Sequence, residues 1–93
     1  MKLSVFSLRV VTPKKVVFDE EVEKVIVRTI EGDVGILKNH ASYVSVIKSG
    51  PITIFLASGE KKKAILKNGL VSVADGKVEI LVFEYEESDD EKQ

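Results

Sequence analysis

Val, Ile and Thr supply 26 of the 93 residues, in short runs punctuated by Ser58-Gly59, Asn68-Gly69 and Asp75-Gly76. Branching at Cβ favours the pleated backbone over the helix, and Gly accepts the positive φ that tight hairpin turns require. No window of about 12 residues or more keeps the helical apolar stripe that an amphipathic helix needs. The punctuation predicts strands near 3–11, 16–18, 21–29, 34–37, 43–48, 51–57, 61–67, 70–74 and 77–85. Nine to ten short strands with such turns predict an all-β fold, a two-sheet β-sandwich or barrel.

Three details refine that expectation. Val78, Ile80 and Val82 alternate with Glu79, Leu81 and Phe83, so both faces are mostly apolar and the strand is expected to be covered on both sides. Leu3 and Val5 run in one phase while Phe6, Leu8 and Val10 run in the other, which predicts a bulge or a strand crossing between sheets. Lys61, Lys62 and Lys63 follow a hairpin turn and read as an edge strand whose charges discourage sheet-to-sheet pairing. An anion site there is the second reading.

At about 100–200 residues per domain this is one domain. The chain is cysteine-free and carries a formal charge of −1, which removes disulfides, Cys-ligated zinc and thiol chemistry. From Glu84 onward EYEESDDEKQ holds six acids and one Lys, leaving a body of +4. A like-charge run cannot bury apolar surface, so a domain over 1–84 and an acidic, disordered tail over 85–93 are expected. Aromatic content of 6% and so weak a basic excess argue against nucleic-acid binding. The longest uncharged stretch, Ser49 to Gly59, is 11 residues, short of the ~20 that a membrane helix needs.

Catalytic equipment is also missing. His40 is the sole histidine, so Cys–His catalysis is excluded and a Ser–His–Asp triad would rest on that one base with no nucleophile-elbow motif at any Ser. Asp19, Glu20, Glu21 and Glu23 read as a solvated strand edge, and Gly32-Asp33-Val34-Gly35 lacks the Gly spacing and Lys of a phosphate loop. No metal, cofactor or catalytic residue is assigned, and a binding or structural module is expected.

One segment makes that module specific. Glu31-Gly32-Asp33-Val34-Gly35-Ile36-Leu37-Lys38-Asn39-His40-Ala41 resembles E-G-x-hydrophobic-G-hydrophobic-x-P-x-H-A, the signature of the ε subunit of the F-type ATP synthase (δ in mitochondria). Val10-Val11-Thr12-Pro13, with Val17-Phe18-Asp19 and Glu21-Val22, is similar to the family's opening V-x-T-P…F-x-G-E-V. Ile47-Lys48-Ser49-Gly50 then Ile52-Thr53-Ile54 resembles its K-P-G…I stretch, and Asn68-Gly69 followed by Leu70–Val73 stands where the family has G-G and an apolar strand. The likeness runs in order from residue 3 to residue 83. Lys38 replaces the usual Pro, Glu20 the usual Gly and Thr29-Ile30 the common Pro-Gly, while Pro51 follows Gly50 instead of preceding it.

The resemblance implies the family's N-terminal β-sandwich, with its C-terminal helical hairpin absent and therefore no nucleotide site or inhibitory helix. It implies a non-catalytic central-stalk subunit of a proton-translocating rotary ATP synthase, linking the γ shaft to the c ring, peripheral on the cytoplasmic side of a bacterial membrane. By the same resemblance Glu31, Gly32 and Asp33 are expected at the c ring, and Thr12, His40, Ala41, Ser42 and Tyr43 at γ. Gly35 and Gly69 are expected as structural turns, with positive φ at Gly35. Small all-β carriers of lipoyl or biotinyl groups are the alternative, with Lys24 as the modified residue, but no tight hairpin is written around it.

Overall fold

The computed structural model describes residues 4–88. They form β1 (Phe6–Val11), β2 (Val16–Thr29), β3 (Gly32–Ile36), β4 (Tyr43–Leu56), β5 (Lys61–Ala74) and β6 (Lys77–Ser88). The strand order is β1-β6-β5-β4-β2-β3, and β1 also pairs with β2. All neighbours are antiparallel except β1 and β6, which run parallel.

The all-β sandwich stands, but with six strands in place of nine to ten. The expected pairs 16–18 and 21–29, 43–48 and 51–57, and 61–67 and 70–74 are each one continuous strand. The physical reason is a change of phase inside each. β2 buries Phe18 and Val22, then Val25 and Val27, with a register slip between Val22 and Lys24. β4 buries Ser45 and Ile47, then Ile52 and Ile54. β5 buries Ala64 and Leu66, then Val71 and Val73, and Asn68 between them has φ 56°. Side chains alternate across a strand with period two, so a one-residue change of phase turns the opposite set inward. Each long strand thereby keeps an inward face along both halves of its length, as the hydrogen-bonded strands curl round until β1 meets β2. Gly50-Pro51 and Asn68-Gly69 mark kinks within strands, while Ser58-Gly59 and Asp75-Gly76 are true turns. Asp75 (φ 51°) and Gly76 (φ 74°) both adopt the left-handed region, as a two-residue hairpin between Ala74 and Lys77 requires.

The phase change expected within 3–11 rests partly on Leu3, outside the described residues. The observed irregularity in β1 falls between Val10 and Val11, against β2. The edge strand expected at Lys61–Lys63 is corrected at Lys63, which pairs with both Thr53 of β4 and Ser88 of β6, whereas among the described residues Lys61 and Lys62 pair with β4 alone. β6 is covered on one face alone: Val78, Ile80 and Val82 are buried, but Leu81 is 47% and Phe83 68% exposed.

β6 also carries the chain past the expected boundary at Glu84. Tyr85 pairs with Leu66 and packs against the core, Ser88 pairs with Lys63, and Glu87 bonds the Lys62 ammonium. That bond holds Lys62 above the usual lysine range, and burial raises the Tyr85 phenol. Residues 89–93 of the expected tail lie outside the described residues. Truncation after Glu84 should therefore cost about 2 kcal/mol, read as a lower midpoint in urea unfolding. An unchanged midpoint would show that residues 85–88 contribute no packing.

Candidate functional site

The β2–β3 hairpin closes at the Thr29–Gly32 pair. Gly32 alone in the tip has positive φ, 113°. The Thr29 hydroxyl accepts from the Glu31 N–H at 3.0 Å and donates to the Gly32 carbonyl at 3.1 Å, so one side chain ties both ends of the turn. The Ile30 N–H donates to the Val46 carbonyl at 2.9 Å, fastening the tip to β4. Both acids of the tip have internal partners. Tyr43 donates its hydroxyl to Glu31 Oε1 at 2.8 Å. Arg28 Nε donates to Asp33 Oδ1 at 2.8 Å and Nη2 to Oδ2 at 3.3 Å. This side-chain bonding raises the Arg28 guanidinium above its ordinary pKa and lowers the Asp33 carboxyl below its own.

Gly35 is not a turn residue. It lies within β3 opposite Ile26, has no positive φ, and a Cβ there would make ordinary contact with Lys24 Cε at 3.7 Å. Gly69 is not a turn either: it sits inside β5, between Ile47 of β4 and Val82 of β6.

His40 opens the approach to β4. Its N–H donates to the Leu37 carbonyl at 3.0 Å, and its Nδ1 lies 2.8 Å from the Ala41 carbonyl, which can only accept, so Nδ1 carries the proton. The ring meets Tyr43 edge-to-face at 5.7 Å between centroids. Ala41 and Ser42 are exposed. Through the Tyr43–Glu31 bond, the segment expected at γ is continuous with the tip expected at the c ring. Thr12 stands apart from them: it accepts from the Lys14 and Lys15 N–H groups and donates to the Lys15 carbonyl, capping the β1–β2 turn.

An apolar face absent from the sequence-derived site lies between them. Val46 pairs with Leu70, Leu70 with Leu81, Leu81 with Val11 and Val11 with Val16. These five outward residues cross β4, β5, β6, β1 and β2 in one row, flanked by exposed Val44 and Phe83. Thr12 and Pro13 border a depression floored by Leu70, Leu81 and Phe83, and Tyr43 adjoins Val44 along β4. The apolar alternation of β6 was the available signal, read as burial on both faces.

Lys24, the carrier alternative, sits inside β2 away from any hairpin tip. Its Nζ lies 5.5 Å from the Phe55 ring centroid, with Lys61 Nζ at 5.7 Å, so the exposed hairpin-tip lysine of that reading is not found. Among the described residues, no group of three or more His, Asp or Glu could hold a metal ion. Nor is any helix there long and apolar enough to cross a membrane.

Residues 5–88 match the family of the ATP synthase Delta/Epsilon chain beta-sandwich domain. The chain belongs to this family. Within it, the ATP synthase epsilon chain of Ruminococcus albus is 39% identical over 89 residues, covering 95% of this chain and 66% of the relative. The sodium ion specific epsilon chain of Propionigenium modestum is 39% identical over 82 residues, covering 88% and 59%. The chain thus spans about three fifths of the length of these epsilon chains. Among solved structures, a chain of the Euglena gracilis mitochondrial ATP synthase superposes with TM-score 0.86 over 99% of this chain and 61% of its own, at 24% identity. A chain of the Tetrahymena thermophila central stalk and c-ring gives TM-score 0.73 at 20% identity, covering 99% and 72%. These two likenesses concern the fold alone.

Proposed function

We propose that this domain is a non-catalytic element of the central stalk of a rotary ATP synthase, joining the γ shaft to the c ring. In this reading it sits peripherally on the cytoplasmic face of a bacterial membrane and helps couple rotation to ATP synthesis. The carrying observation is the apolar row beside the acidic hairpin tip, in a chain whose relatives are ATP synthase epsilon chains. γ docks on the row, with Thr12 at one border and His40, Ala41, Ser42 and Tyr43 at the other. A stable contact buries more than ~1,000 Å² in total, which a sheet face supplies and one loop does not. The c ring meets the tip at Glu31, Gly32 and Asp33, where Tyr43 and Arg28 hold the two carboxylates and the Thr29 hydroxyl ties the turn. Continuous strands curled round a close-packed core transmit torque with little flexing. The transported ion is not assigned, since relatives at this identity include one named as sodium ion specific. No nucleotide or other cofactor enters this role.

Titrating the domain into purified γ subunit by calorimetry tests the proposal. Saturable 1:1 binding is expected, weakened in the His40→Ala variant. A folded domain that releases no heat against γ would reject the stalk role.

A further inference from the structure

The Arg28–Asp33 pair has a third member. The β2–β3 register places Arg28 directly opposite Asp33, and the Arg28 stem lies across Gly50 at the kink of β4. A Cβ at Gly50 would stand 2.9 Å from Arg28 Cδ, 3.0 Å from its Cβ and 3.2 Å from its Cγ. A methyl there would therefore push the Arg28 stem aside by a few tenths of an ångström, with the least freedom at its Cβ, which the β2 backbone fixes. Gly50 is thus a seat for the arginine stem, and the guanidinium beyond it grips both oxygens of Asp33 in the fork geometry that gives Arg–carboxylate pairs their orientation. Half-exposed on the surface, such a pair contributes little to stability, so its arrangement calls for an explanation other than folding.

We infer that Arg28, seated on Gly50, is a positioning residue that holds the Asp33 carboxylate in one orientation for the contact made by the hairpin tip. The inference rests on the proposed role of that tip at the c ring. It adds two residues, one on β2 and one on β4, that no part of the tip motif contains. A free Asp33 would sample several rotamers and lose that freedom on binding; a gripped one has already lost it. The guanidinium also keeps donors free beside the carboxylate, so the tip offers a basic group together with its acid. Partner loops presenting both signs fit this surface better than purely basic ones.

The test uses the whole 93-residue chain bound to a detergent-solubilised γ–c ring complex. Arg28→Ala and Gly50→Ala should each weaken binding about tenfold, the loss of one ordered polar contact, and Arg28→Lys should recover part of it. Because both substitutions disable one device, the double variant should bind no more weakly than either single one. Independent, multiplying losses would overturn the inference. A carboxyl-carbon NMR titration gives the second readout. The Asp33 midpoint, depressed in the parent, should rise toward the ordinary aspartate value in both variants. A midpoint unmoved by Gly50→Ala would also overturn it. If the parent chain fails to bind, the ring-contact reading falls, and the titration still decides whether Gly50 and Arg28 orient Asp33.

Discussion

Gly69→Ala should lower the melting temperature by roughly 12–24 °C, the largest effect expected from so small a change in this chain. The added methyl would lie 1.9 Å from the Leu81 carbonyl oxygen, 2.7 Å from Val82 Cγ1 and 2.8 Å from Val82 Cα. Two of those atoms are backbone, so relief requires β6 to move away from β5 at the centre of their pairing. Overpacking a rigid site costs about 3 kcal/mol, and each kcal/mol shifts the midpoint by about 4–8 °C in a domain of this size. Gly35→Ala is the control, since its methyl meets only Lys24 Cε at 3.7 Å, and it should change stability by less than about 0.5 kcal/mol. Thermal unfolding followed by circular dichroism reads both. A Gly69 variant melting within a few degrees of the parent would show that the strands can part there without cost.

Leu81→Asp combined with Phe83→Asp should reduce affinity for γ by about a hundredfold or more while leaving the melting temperature nearly unchanged. Both side chains point away from the core, so their replacement removes little internal packing. Leu81 lies at the centre of the row, between Leu70 and Val11. Central apolar residues of an interface carry about 2–4 kcal/mol each when removed, and a buried carboxylate without a partner adds to the loss. Leu37→Asp serves as the control, because Leu37 is exposed but lies near Lys24 and Phe55, outside the row. Calorimetry with the three proteins separates the possibilities. Parental affinity in the double variant would remove the row from the interface.

The sequence specified the fold class well and the strand ends less well, for a reason visible at Asn68-Gly69. A turn and a kink ask for the same local chemistry, a residue tolerant of positive φ or a missing Cβ. Asp75-Gly76 and Asn68-Gly69 therefore look alike along the chain. They differ in what lies opposite: Ala74 and Lys77 close on each other, whereas Gly69 is hemmed in by Ile47 and Val82. The apolar row was hidden differently. Leu81 and Phe83 are as apolar as Val78 and Ile80, and alternation alone does not tell a face covered by the chain itself from one left open. The tip motif singled out Glu31 and Asp33, which the structure sets on one hairpin, but was silent on Arg28 and Gly50. Pairing Arg28 with Asp33 needs the register of the hairpin, and seating it on Gly50 needs the neighbouring strand as well.

The parallel pairing of β1 with β6 has a consequence for how the protein is made. Ser7 to Val11 align with Lys77 to Leu81, so the first of the six described strands takes the last as a neighbour. Contacts this distant in sequence form slowly, because a long segment must be ordered before they are rewarded. Until Lys77 has been added, β1 has only β2 beside it and β5 presents an open edge, with Leu8, Val10 and Val71 awaiting their cover. A nascent chain paused at that point is exposed to edge-to-edge association. Completion of the domain thus depends on the timely arrival of β6.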